Sequence, residues 1–181
     1  MSTGALLLLL LPAFCRAASD PYAEIKSLQG AWGVDADCDG QKYRFGVGVA
    51  RAADGFHASI IDVDQPNAQG SSALITYAGA KGRYRLSYSM PGNPVAALLG
   101  TQSIEGTMAV TNDPDDPDSI GNDLLVVHLT VGTLFTSTTK IKLASRKKAV
   151  FNHMDQSPAG KDRCVGRAVR SKVRIARPPS A

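Results

Sequence analysis

Residues 42–49 read Lys-Tyr-Arg-Phe-Gly-Val-Gly-Val and alternate strictly, with Tyr43, Phe45, Val47 and Val49 on one face. A period of two residues with one apolar face is the pattern of a half-buried antiparallel β-strand. The same alternation returns in residues 83–90 and 103–110. These segments predict an all-β protein.

Further apolar segments, separated by turn signals such as Asp54-Gly55, bring the expected total to roughly nine or ten short strands. One helix is expected near residues 93–99, because Asn93 suits the N-cap, Pro94 the first helical position, and Gly100 the position past the end. A second, short helical turn is expected before Gly30. The additional strand segments are Phe56–Val63, Ser72–Tyr77, Leu124–Val131, Leu134–Ser145, Ala149–His153 and Cys164–Ile175.

The chain's composition fits one globular domain and excludes several classes of protein. It has 181 residues, of which 44% are hydrophobic and 20% charged, which excludes full disorder and a multi-span membrane protein. We find no Ser nucleophile elbow, Gly-rich phosphate loop or HExxH zinc motif. The sequence therefore predicts a non-enzymatic protein without a cofactor.

The N-terminal segment Met1–Ala18 has the layout of a secretory signal peptide: an apolar run, Pro12, then small residues. Its apolar run, Ala5–Leu11, is far shorter than the ~20 residues that span a bilayer. We expect residues 1–18 to be a signal peptide, 19–177 a single β-barrel domain and 178–181 a frayed tail. The expected location is periplasmic or secreted. Lipidation of Cys15 and a buried N-terminal helix remain alternatives.

Two cysteines remain after removal of such a signal, Cys38 and Cys164. An even count in an exported chain predicts a disulfide, with free buried thiols as the alternative. In the chain-entropy model the bond is worth ~4–5 kcal/mol for so long a loop. Because Cys38 lies by the first strand and Cys164 by the last, the pairing favours a closed up-and-down barrel of eight to ten strands, although a sandwich also remains.

The run Ile25–Trp32, Ile-Lys-Ser-Leu-Gln-Gly-Ala-Trp, resembles the opening of the lipocalins and their relatives, the calycins. These begin with a short helical turn and then Gly-x-Trp on the first strand. The resemblance implies that Trp32 closes the bottom of a barrel and that an arginine of the last strand, Arg170 or Arg174, packs across its ring. Bacterial periplasmic protease inhibitors of this superfamily carry a cysteine shortly after the Trp, where Cys38 stands.

We expect the barrel interior to hold a small apolar or amphipathic ligand. The side chains predicted to line it are Tyr43, Phe45, Tyr84, Tyr88 and Met108. A filled core is the alternative role for these side chains. A second hypothesis is a protein-interaction module or protease inhibitor with an envelope protein as partner, acting through Ser19–Ser27 ahead of the first strand.

Two charge features complete the sequence analysis. Asp35, Asp37 and Asp39, with Gly40, match the start of a calcium loop, but a hairpin turn explains the same residues and no metal is expected. Residues 140–181 hold 12 basic and 2 acidic groups, against 8 and 14 in residues 1–139. These basic groups could bind the phosphates of another molecule or pair with acidic neighbouring strands. The expected export argues against nucleic acid as the partner.

Overall fold

The computed structural model describes residues 20–64, 70–89, 91, 103–111, 124–131, 135–158 and 160–171. A short 3-10 helix, Ala23–Leu28, precedes the first strand. The strands are β1 (Gly30–Cys38), β2 (Gln41–Arg51), β3 (Phe56–Asp62), β4 (Ser71–Tyr77), β5 (Arg83–Ser89), β6 (Ser103–Thr111), β7 (Leu124–Val131), β8 (Phe135–Ser145), β9 (Lys148–Ser157) and β10 (Gly160–Arg170).

These ten strands form a closed antiparallel barrel in which each strand pairs with its neighbours in sequence and β1 pairs with β10. The prediction of an all-β, up-and-down barrel is confirmed. Most of the predicted strand bounds lie within a few residues of the observed ones, and the predicted strand Leu124–Val131 coincides with β7. The predicted signal peptide, the helix near 93–99 and the C-terminal tail lie outside the described residues.

The alternation seen in the sequence separates the inner face of the barrel from its outer face. Trp32 and Ala36 of β1 are buried, whereas the intervening Gly33 and Asp35 are exposed. Because cross-strand partners share a face, the register carries this inward set around all ten strands. Tyr43, Phe45, Tyr84, Tyr88 and Met108 all belong to it.

The 3-10 helix closes one end of the barrel, which we call the helix end. Ile25 is fully buried, and the ring of Tyr22 packs 5.7 Å from Phe56 and 5.8 Å from Tyr84, measured between centroids. The Tyr22 hydroxyl accepts a hydrogen bond from the backbone N–H of Tyr77 at 2.9 Å. Burial, with smaller effects from the charges of Glu24 and Asp20, raises the pKa of Tyr84 to about 12.

Trp32 lies at the same end, 5% exposed, and its indole N–H donates to the Leu28 carbonyl oxygen at 2.8 Å. The Arg170 guanidinium lies 5.0 Å from the centre of the Trp32 ring and also donates to the carbonyl oxygens of Ser27 and Gln29. Arg170 therefore ties the last strand to the segment ahead of the first. Arg174, the other candidate, lies outside the described residues.

A disulfide between Cys38 and Cys164 links β1 to β10 at the opposite end, which no helix of the described residues covers and which we call the open end. The two half-cystines are direct cross-strand partners. Asp39 and Gly40 form the two-residue turn between β1 and β2, and both have positive φ, 52° and 88°. This is the backbone that a tight hairpin between right-twisted strands requires, and Asp-Gly suits it.

The last two strands differ from the sequence-based expectation. We predicted that β9 would end at His153, but it continues to Ser157, and β10 spans Gly160–Arg170 with Cys164 within it. Arg170 of β10 turns inward against Trp32, because it has the same register parity as Ala168 and Cys164.

Candidate functional site

The inner face at the open end carries polar side chains where the helix end carries a packed apolar core. Ser137 and Thr139 lie on β8, directly opposite Asp155 and His153 of β9. All four have inward register positions, because Leu129, the cross-strand partner of Ser137, follows the inward set of β7. We call these four residues the polar cluster.

The polar cluster is a connected chain of hydrogen-bonding groups. The Thr139 hydroxyl lies 2.7 Å from Nδ1 of His153, and Nε2 of His153 lies 3.1 Å from Oδ1 of Asp155. When Nε2 carries the proton toward Asp155, Nδ1 accepts from the hydroxyl of Thr139. The 3.1 Å contact between His153 Nε2 and Asp155 Oδ1 is at ion-pair distance, and Oδ1 is shielded from solvent.

The Asp155 carboxylate is stabilised in its charged form. Burial by itself would raise its pKa, but hydrogen bonds from His153 and Ser137 and the charge of His153 outweigh burial and hold the pKa below the ordinary 3.8. The side chains of His153 and Asp155 remain 28% and 31% exposed. Both side chains have inward positions, so solvent reaches part of the inner face at this end, while Ser137 beside them is buried.

Aromatic side chains line another part of the same end. Tyr43 and Phe45 stack with ring centroids 6.1 Å apart and planes 6° from parallel. Both are half-buried, as is the inward Tyr88 of β5. These three residues, which we call the aromatic wall, offer apolar surface on the inner face at the end that carries the polar cluster, and Tyr88 also packs against the apolar core.

The other two residues predicted to line a ligand site belong to the packed core. Tyr84 is 1% exposed and Met108 is 3% exposed, and both are in the cluster with Tyr22, Ile25 and Phe56. Their burial comes from the 3-10 helix, which fills the helix end. The structure thus divides the predicted lining into the aromatic wall at the open end and a filled half below it.

The remaining histidines lie on the outer face. His57 contacts the exposed carboxylate of Asp54 at 2.8 Å, and His128 contacts the Thr138 hydroxyl at 3.0 Å. The side-chain hydrogen bond from His57 lowers the pKa of Asp54. A groove of about 510 Å³ also lies outside the barrel, where β5, β6 and β7 present residues such as Arg85, Thr107 and His128.

The candidate calcium ligands form parts of the β1–β10 wall and the β1–β2 turn. Asp35 pairs with Arg167 on the outer face at 3.4 Å, Asp37 accepts from the backbone N–H of Gly40 at 2.9 Å, and Asp39 accepts from that of Arg163 at 3.2 Å. Among the described residues, no three His, Cys, Asp or Glu side chains form a group suited to a metal ion. The turn interpretation accounts for all three contacts.

Sequence analysis missed the polar cluster as a unit. The signal was present: Ser137 and Thr139 are two residues apart, and so are His153 and Asp155, which places each pair on one face of a strand. Ending the predicted strand at His153 removed Asp155 from the pattern. The two pairs of residues meet because β8 pairs with β9 in this register, and amino-acid composition does not reveal a register.

Comparisons with known proteins support the barrel. The structure is similar to that of the S-type phycobiliprotein lyase CPES from Guillardia theta, with a TM-score of 0.53 and 10% sequence identity, over 83% of this chain and 92% of that chain. At this identity the likeness shows the fold alone. No protein-family model and no curated protein matches the sequence. Within the described segments, no helix is long and apolar enough to cross a membrane.

Proposed function

We propose that this protein is an exported, non-enzymatic, calycin-like barrel that binds a small apolar or amphipathic ligand at its open end. The observation that carries the proposal is that two inward side chains at this end, His153 and Asp155, are 28% and 31% exposed, whereas the inward Phe56 and Tyr84 at the helix end are buried. A barrel closed at one end and accessible at the other is the architecture of a ligand-binding cup.

The size of the barrel supports this role. An eight-stranded barrel already has room for its own side chains or one small ligand, and the diameter grows with strand number. This barrel has ten strands. Its interior therefore has more width to fill than that of an eight-stranded barrel.

The chemistry of the lining defines the ligand class. The aromatic wall offers stacking surface to an apolar body, and the polar cluster offers a carboxylate, an imidazole and hydroxyls to a polar group. A ligand with both parts would satisfy both surfaces. One similar solved structure is that of a phycobiliprotein lyase. A barrel of this fold therefore serves an activity on another molecule, and a binding role for this barrel is consistent with that.

The alternative, a protease inhibitor acting through Ser19–Ser27, is less well supported. From Asp20 onward this segment is described, and its two large apolar side chains, Tyr22 and Ile25, are buried in the barrel. They seal the helix end and offer little to a protease. Export rests on the predicted signal peptide and is compatible with the Cys38–Cys164 disulfide, which persists in oxidising compartments.

A fluorescence titration with 1-anilinonaphthalene-8-sulfonate tests the proposal. We expect saturable binding, with displacement by long-chain fatty acids or alcohols. The Tyr43→Ala/Phe45→Ala variant should weaken binding by about tenfold, because it removes the aromatic contacts. Val63→Ala, at an exposed position just after β3 and away from the inner face, is the control and should bind normally. Equal binding by the aromatic-wall variant, or no saturable binding at all, would refute the proposal.

A further inference from the structure

The outer face of β8, β9 and β10 carries charges of one sign. By register, the outward positions of these three adjacent strands include six cationic residues and no acidic residue. Two outward acids lie on the neighbouring strand β1: Asp35 opposite Arg167 and Asp37 opposite Val165. Asp37 accepts from the backbone N–H of Gly40. The Asp35–Arg167 pair is highly exposed, with side-chain exposures of 57% and 74%, and screens the face only weakly. The six cations are Lys140, Lys142, Lys148, Lys161, Arg163 and Arg167.

Exposed apolar side chains lie among these cations. Val150 and Met154 of β9 are 47% and 43% exposed, and Val165 and Val169 of β10 are 44% and 46% exposed. They alternate with the cations along and across the strands; for example, Val150 pairs with Arg167, and Met154 with Arg163. We call the outward residues of these three strands the basic–apolar face.

The shape of this face favours a broad, nearly planar partner. The wall of a closed barrel is convex, and the outer groove described above lies on β5, β6 and β7 rather than on this face. Its backbone groups already pair with both neighbouring strands, which excludes addition of a partner strand. Strands of ten and eleven residues extend over roughly 35 Å, a length suited to a surface contact.

We propose that the basic–apolar face docks on the surface of an anionic lipid membrane. Lysine and arginine are attracted to the negative surface potential, with each cation near the surface contributing about 1 kcal/mol. Val150, Met154, Val165 and Val169 then enter the headgroup region, as apolar side chains of peripheral proteins do. Docking in this way leaves the open end of the barrel at the side of the contact and free to exchange a ligand.

Vesicle co-sedimentation of the full chain tests the proposal, using phosphatidylglycerol–phosphatidylcholine vesicles against pure phosphatidylcholine. We expect binding to the anionic vesicles that falls steeply as salt rises, since the attraction is screened within a Debye length. Lys148→Gln/Arg163→Gln should lower the partition coefficient about 25-fold, at about fivefold per cation. Arg83→Gln/Arg85→Gln, outward on β5, is the charge-matched control and should bind as the wild type does.

The apolar contribution has its own matched pair. Val150→Thr/Val165→Thr keeps the β-branched shape, and we expect it to weaken binding severalfold, whereas Val63→Thr, just after β3 and 50% exposed in the wild type, should not. The salt dependence of the wild type tests the proposal independently of any variant's folding. Equal partition to neutral and anionic vesicles, equal effects of face and control variants, or binding to soluble polyglutamate without vesicle binding would each overturn it.

Discussion

Replacing Trp32 by alanine tests how the helix end is closed. The indole ring is 5% exposed, its N–H bonds the Leu28 carbonyl oxygen, and Arg170 lies across its face. Truncating so buried a ring costs about 3–5 kcal/mol. Within that sum the hydrogen bond contributes about 1 kcal/mol and the cation–π contact up to about 2 kcal/mol. For a domain of this size, the melting temperature should fall by about 6–20 °C.

Urea unfolding followed by far-UV circular dichroism is the appropriate assay, because Trp32 is the chain's single tryptophan and its fluorescence is lost with it. Trp32→Phe retains a ring beneath the guanidinium but loses the indole N–H, so it should cost about 1–2 kcal/mol. Val63→Ala on the exposed outer face should change stability by no more than about 0.5 kcal/mol. A loss of less than about 1 kcal/mol in the free energy of unfolding of Trp32→Ala, with an unchanged denaturant slope, would show that the Trp32 ring does not close the helix end.

Three further variants test the walls of the barrel. At Gly166 a methyl group would meet the Asp35 carbonyl oxygen at 2.3 Å, so Gly166→Ala should lower the free energy of unfolding by about 1–3 kcal/mol. Gly33→Ala is the control: its methyl group would have no neighbour closer than 4.0 Å, so the free energy of unfolding should barely change. Equal losses in the two variants would contradict this packing. Replacing both Cys38 and Cys164 by serine should cost about 4–5 kcal/mol, since the bond closes a 126-residue separation; a non-reducing peptide map showing unlinked cysteines in the wild type would remove the basis for this. The lowered pKa of Asp155 means that its carboxylate stabilises the fold above the unfolded-state pKa, and that this contribution is lost as the pH falls through the folded-state pKa. The stability difference between wild type and Asp155→Asn should therefore be steady near neutral pH and close below about pH 4, and urea titrations that give a pH-independent difference would be evidence against that linkage.

The sequence predicted the fold well because the relevant signal is local. Two-residue alternation in stretches such as 42–49 depends only on one buried face, and the structure bears it out. The position of Cys38 and Cys164 on the first and last strands also favoured closure, and the two are cross-strand partners. Of the two arginines considered for Trp32, the described contact is made by Arg170.

The site was harder to predict because its parts are brought together by strand register and by burial at one end. Tyr84 and Tyr88 share an inward alternation, yet Tyr84 is packed beneath the 3-10 helix and Tyr88 stays half-buried. Nothing in their local sequence distinguishes them; the difference arises because Tyr22 and Ile25 fill one end only. The contact of Thr139 with His153 likewise depends on the pairing of β8 with β9.

Native mass spectrometry of the protein, purified without denaturation from the cells that produce it, tests the ligand-binding account most directly. We predict a second population heavier than the processed polypeptide by the mass of one small molecule, which collisional activation releases. The Tyr43→Ala/Phe45→Ala variant, purified in parallel, should show this population much reduced. A wild-type protein that carries only its own polypeptide mass, under conditions that keep the fold and the disulfide intact, would contradict the account.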